Sequence, residues 1–173
     1  MIGRHGLAGL AAALLLGSCG GEGVGGPVVC PAVLVVADAA TVTEYRDGPG
    51  RDLTDVRFSA GVADVNWACE YDGEGHVDVE IAIDLVASRG PAADAPTARF
   101  AYFVVLADQT RAIRAKKVFP FEITFEGNVA SVGFRRVAGT TFYVGEETTG
   151  SGYTIFIGFQ LTRDQYRHNL GGG

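Results

Sequence analysis

The chain has little of what catalytic and metal-binding proteins are usually built from. Histidine occurs three times, as His5, His76 and His168. Nucleophilic catalysis needs a histidine beside a serine and an acid, yet Ser59, Ser88, Ser131 and Ser151 lie in no G-x-S-x-G elbow. The cysteines form no C-x-x-C pair, and a metal site built on two of them would lack two further ligands. Asp72, Glu74, Asp78, Glu80 and Asp84 cluster, but not at the D-x-[DN]-x-[DN]-G spacing of a calcium loop. Positive charge is in deficit: 14 Lys and Arg face 20 Asp and Glu, for a formal net charge of -6. Such a chain is a poor binder of a phosphate backbone, so no nucleic-acid partner is expected. No helical run is long enough to cross over a parallel sheet, and no internal repeat is evident. From these absences we assign no catalytic residue, no metal ligand and no cofactor.

Long hydrophobic runs are also missing. Leu7 to Leu16, the apolar stretch near the start, has ten residues and cannot cross a hydrocarbon core of ~30 Å as a helix. With Arg4 ahead of it, it has the layout of a signal peptide covering residues 1–18. Leu16-Gly17-Ser18-Cys19 follows: a large apolar residue, two small residues and a cysteine. This quartet resembles the lipobox of bacterial lipoproteins, although Gly17 is a less usual second residue than Ala or Ser. The resemblance covers residues 1–19 and implies that Cys19 carries a diacylglycerol and becomes the mature N-terminus, anchored in the lipid bilayer. In Gram-negative lipoproteins an Asp directly after this cysteine is a common cue for inner-membrane retention. Gly20 stands here, so the resemblance points to the outer membrane, with the body in the periplasm or at the cell surface.

Residues 19–29 then read as a glycine-rich linker. Its eight residues from Gly20 to Pro27 span on the order of 15 Å root-mean-square and at most about 28 Å. The folded body therefore sits close to the membrane. Residues 30–173 show no break in composition and form one domain. Once lipid claims Cys19, Cys30 and Cys69 are left over, and in an oxidising envelope two such thiols are most simply a disulfide.

From Cys30 onward, β-branched and aromatic runs alternate with period two between Gly, Pro and Asp clusters. Val33–Val36 and Thr41–Arg46 read as a first strand pair around an Asp38-Ala39-Ala40 turn. Leu53–Val62 and then Val65–Tyr71 follow, the latter with Val65, Trp67, Cys69 and Tyr71 on one face. After the turn at Asp72–Gly75, Val77, Val79, Ile81, Ile83 and Leu85 share a face, and this hairpin is expected at the centre of the core. Thr97–Ala107 is apolar on both faces, which fits a strand covered twice or facing a partner. Ile113–Phe125 contains Lys116, Lys117 and Pro120, the marks of a protected edge. Val129–Val137, Thr140–Val144 and Tyr153–Leu161 complete the strands, and Thr162-Arg163-Asp164-Gln165 has capping-box spacing for a short C-terminal helical turn. The pattern predicts an all-β protein, an antiparallel β-sandwich of about eight or nine strands. It resembles immunoglobulin-like and fibronectin-type sandwiches in pattern only, because Trp67 stands just two residues before Cys69, on the same strand run as the second cysteine, and not on a separate strand between the two cysteines.

Partner-binding candidates come from the edge strand. Phe119, Phe121 and Phe125 share a parity, so they line one face, which is a docking patch if exposed and core if buried. Arg114, Lys116 and Lys117, with Arg111 and the nearby Arg135 and Arg136, form the basic cluster, read either as contacts for anionic headgroups or an acidic surface, or as edge protection. The leading expectation is a non-enzymatic envelope lipoprotein that binds another protein as an accessory or assembly subunit. The alternatives are a carrier or sensor of an apolar ligand between the sheets, and a cell-wall or glycan hydrolase using carboxylates of the 72–84 hairpin.

Overall fold

The computed structural model describes residues 29–145 and 150–171. Eight strands run in order: β1 Ala32–Val35, β2 Thr41–Tyr45, β3 Val56–Tyr71, β4 His76–Arg89, β5 Thr97–Asp108, β6 Ile113–Thr124, β7 Ser131–Tyr143 and β8 Tyr153–Phe159. A helix, α1, spans Arg163–Asn169. The strands form two four-stranded sheets, β1-β8-β5-β6 (sheet A) and β2-β3-β4-β7 (sheet B), packed as a β-sandwich. All neighbours are antiparallel except β1 and β8, which run parallel from Ala32–Thr154 to Val35–Ile157.

Strand alternation places the core. On β4, Val77, Val79, Ile81, Ile83, Leu85 and Ala87 are buried while the residues between them face outward. Ile155, Ile157 and Phe159 of β8 and Phe125 fill the layer opposite, and Phe58 of β3 stacks on Phe125 at 5.8 Å. Each fully buried side chain of this kind stabilises the fold by roughly 1.5–3 kcal/mol.

Three expectations change. β1 and β2 are not a hairpin, since β1 joins sheet A and β2 sheet B, with a 3-10 turn at Ala37–Ala39 carrying the chain between the sheets. The two segments 53–62 and 65–71 are one strand, β3, which begins only at Val56, and Leu53 lies in an exposed 3-10 turn. A bulge between Val62 and Asp64 shifts the register, so even-numbered Phe58 and Ala60 and odd-numbered Val65, Cys69 and Tyr71 face the same layer. Likewise 129–137 and 140–144 belong to the single strand β7.

The registers give the sandwich two distinct ends. Val29, the β3–β4 turn and the β5–β6 turn lie at the near end, with Tyr153 beside both Asp108 and Phe142. The far end carries the start of β3, the loop after β4, the end of β8 and α1. β4, with 14 residues, separates the ends by roughly 40 Å.

At the near end the disulfide Cys30–Cys69 ties Cys30, two residues ahead of β1 in sheet A, to β3 in sheet B, with Cα atoms 5.7 Å apart. Beside it the Tyr71 hydroxyl donates to Val29 O at 2.8 Å and accepts from Gly150 N. A Cβ on Gly150 would sit 2.8 Å from Val29 O and 2.9 Å from the Tyr71 hydroxyl, so only glycine fits this junction. In the β5–β6 turn, Asp108 accepts from the Thr110 hydroxyl at 2.6 Å, from Ala112 N at 3.1 Å and from Arg114 Nε at 2.7 Å. These bonds, the Thr110 hydroxyl foremost, lower its pKa to about 2.

The cysteines are 39 residues apart in sequence, so replacing both with serine should cost about 4 kcal/mol in the chain-entropy account, read by denaturant unfolding. Because folding lowers the Asp108 pKa, its contribution is complete above the unfolded value of about 3.9 and disappears as pH falls towards 2. Asp108→Asn should therefore flatten the decline in unfolding free energy between about pH 4 and pH 2. An unchanged acid limb would assign that decline to other carboxylates.

Candidate functional site

At the far end the free edge of β2 is covered by α1. The helix is seven residues long, too short to persist alone, and its capping box and docking hold it. Gln165 N donates to the Thr162 hydroxyl at 3.3 Å, and Thr162 N donates to Gln165 Oε1 at 2.8 Å, as the Thr-x-x-Gln spacing predicts. Asn169 Nδ2 donates to Asp38 O and Thr41 O, both at 2.9 Å, and Gln165 Nε2 to Thr43 O at 3.4 Å. Edge carbonyls that would otherwise be free to pair with another strand are thereby engaged.

Between α1, β2 and the loop after β2 lies an open cleft of about 390 Å³, lined among others by Glu44, Tyr45, Arg51, Arg57, Gln165 and His168. The Tyr45 hydroxyl and His168 Nε2 are 2.8 Å apart, with their rings edge to face at 5.3 Å. Arg51 lies over the Tyr45 ring at 5.3 Å and donates to Gly48 O and Gly50 O. Arg57 pairs with Asp94 at 2.5 Å. Arg46 Nε makes an ion-pair contact of 2.5 Å with Asp55 Oδ1, although no aligned hydrogen bond reaches that oxygen. Asp55 is 2 % exposed, and a Cβ on Gly50 would run into its carboxylate. Burial raises the pKa of Glu44, with Arg57 acting in the opposite sense. Burial also raises that of Tyr45; Arg51 lowers it and Asp55 adds to the rise. A second depression of about 460 Å³ shares Thr43, Tyr45 and His168 and adds Leu53, Val56, Ser59 and Pro91. Ser59 and His168 thus share a depression, while the imidazole Nε2 is engaged by Tyr45.

The candidates read from sequence are placed differently. Phe121 and Phe125 are 8 % and 1 % exposed, and Phe119 stacks on Tyr102 at 5.0 Å. Their shared face points into the sandwich, where Phe121 and Phe125 are core and Phe119 is half-buried against it, which corrects the docking-patch reading. The cations are dispersed. Arg114 pairs with Asp108, Lys116 lies 5.1 Å over the Phe103 ring, and Lys117 borders a depression with Asp78, Glu80 and Thr141. Arg135 holds Asp84 through two bonds of 2.7 Å, and Arg136 lies over Phe134 and Phe121. β6 is an edge strand, which is the setting in which its lysines and proline serve as protection.

Asp78 and Glu80 lie with Asp84 on the outer face of sheet B, where Asp78 accepts from the Thr141 hydroxyl. Asp72 is held in the β3–β4 turn by Glu74 N, His76 N and His76 Nδ1. Among the described residues no group of three or more His, Cys, Asp or Glu is arranged to hold a metal ion, and no helix is long and apolar enough to cross a membrane. Cys19 lies outside the described residues. Comparison with protein-family models, curated proteins and solved structures finds no match for this chain. Its class is set by its own architecture: a disulfide-bridged β-sandwich with a polar cleft at one end.

Glu44, Tyr45, Arg51 and Arg57 were not singled out from sequence. The available signal was the charged turn Arg46-Asp47-Gly48-Pro49-Gly50-Arg51, and nothing local ties it to His168, 123 residues from Tyr45. Tyr45→Phe should loosen α1 by about 0.5–1.5 kcal/mol, seen as faster amide exchange in 163–169 with the sandwich core unchanged.

Proposed function

We propose that this protein is a membrane-anchored envelope lipoprotein whose sandwich binds another protein and carries out no catalysis. The observation supporting this reading is that Val29, where the linker joins the body, and the Tyr45–His168 cleft lie at opposite ends of the sandwich. With an acylated Cys19, the ten residues to Val29 reach at most about 35 Å. The near end then faces the bilayer and the cleft is presented away from it. Gly20 after the cysteine favours the outer membrane by resemblance to Gram-negative lipoproteins.

The chemistry of the cleft suits recognition. Arg46, Arg51 and Arg57 are already held by Asp55, by backbone carbonyls and by Asp94, so the polar surface is preformed and a partner need not order it. The carrier alternative draws no support from the interior, where Phe58, Ile81, Ile83, Ile155 and Phe159 fill the layer between the sheets. The hydrolase alternative draws none from Asp78 and Asp84, each engaged on an outer sheet face away from His168.

Native mass spectrometry of the full-length protein, gently extracted from its own membranes, tests the reading. The expected result is an acyl mass that Cys19→Ser removes, together with a second polypeptide that Arg51→Glu with His168→Ala releases. An unmodified Cys19 would overturn the anchor, and an acylated monomer with nothing bound would overturn the partner.

A further inference from the structure

The sandwich guards its edges unequally. β2 is covered by α1, β6 carries Lys116, Lys117 and Pro120, and β1 is only four residues long. β7 lies against β6 through the Phe121–Phe134 contact at 5.4 Å. β3 is different, because β2 pairs with it only from Val56 to Gly61. From Asp64 to Ala68 it is paired with β4 on one side, Ala63 being the bulged residue, and among the described residues this stretch has no strand partner on the other side. Ala63, Asp64, Asn66, Trp67 and Ala68 are exposed, and this stretch contains neither lysine nor proline. Its unpaired backbone groups are a template for another strand.

The side chains on this edge have a definite character. Asp64, which accepts from Asn66 Nδ2 at 2.9 Å, and Glu70 lie on the outer face of sheet B, in register with Asp84, which Arg135 holds, and with Asp78 of β4; Glu80 lies between these two. On the opposite face Trp67 is 44 % exposed, although its strand neighbours Val65 and Cys69 pack against the core. A second copy of this chain is a poor occupant in the antiparallel register centred on Trp67, which would set Asp64 of one copy against Glu70 of the other. Like charges directly opposite are destabilising. A strand bearing basic side chains meets the reverse situation.

We propose that residues 63–68 of β3 receive, by strand addition, an extended basic segment of another polypeptide. Its lysines or arginines lie over Asp64 and Glu70, and its alternate apolar side chains pack against Trp67. Main-chain hydrogen bonds supply affinity and the alternation supplies selectivity, as in other strand-addition complexes. The inference rests on the partner-binding reading but uses a surface separate from the Tyr45–His168 cleft.

Trp67 is the single tryptophan, so its fluorescence reports directly on this edge. The full-length protein is titrated with a short end-capped peptide alternating lysine and valine, with its glutamate–valine counterpart, and with the lysine peptide N-methylated at alternate amides. The expected result is a saturable blue shift with the first and binding weaker by about tenfold or more with the other two. Asp64→Lys with Glu70→Lys, checked by far-UV circular dichroism for an intact sheet, should reverse the charge preference. No shift, equal binding of acidic and basic peptides, or equal binding of the N-methylated peptide would each overturn the proposal. A null titration alongside a polypeptide co-isolated in the native experiment would remove this edge and leave the partner reading standing.

Discussion

The pairing of β3 with β4, running from Phe58–Arg89 to Tyr71–Val77 with one bulge between Val62 and Asp64, is the constraint on which the other features depend. It runs nearly the full length of the sandwich and supplies one wall of the core along the way. Its bulge at Val62–Asp64 keeps both halves of β3 facing that core; without the extra residue, one half would turn its apolar side chains to solvent. The same pair fixes what lies at each end. Tyr71 and Cys69 hold the chain entry at Val29 and Cys30, while Val56 pairs with Tyr45 and brings the cleft to the opposite end.

Unequal strand lengths follow from this arrangement and give the surface its variety. β3 has 16 residues and β2 only five, so the shorter strand needs a helix along its free edge and the longer one runs on without a neighbour. α1 meets the first need through Asn169 and Gln165, and in doing so forms one wall of the open cleft with His168. The second leaves Trp67 exposed on a strand whose neighbouring residues pack inward. The polar cleft and the unpaired β3 edge are therefore two consequences of one mismatch in length.

Much of the fold was legible because alternation is local. The parity of Val77 to Leu85, the central 65–85 hairpin, the edge character of β6 and the capping box of α1 each depend on residues close in sequence, and each is found in the structure. The cysteine pair was legible by elimination. The continuity of β3 was not, because a bulge reverses parity and reads as a break between strands. The assignment of β1 to the opposite sheet from β2 was not legible either, since two short runs around a turn look like a hairpin whichever sheet each one joins.

The sequence by itself determined the all-β character, the lengths of most apolar runs and the acidic balance, all of which rest on composition or short-range periodicity. Only the tertiary structure decided that Phe119, Phe121 and Phe125 face inward, that the cations disperse, and that Tyr45 meets His168. The physical reason is that alternation tells which residues share a face but not which layer that face meets. That choice belongs to the packing of one sheet on the other, between side chains that the chain itself keeps far apart.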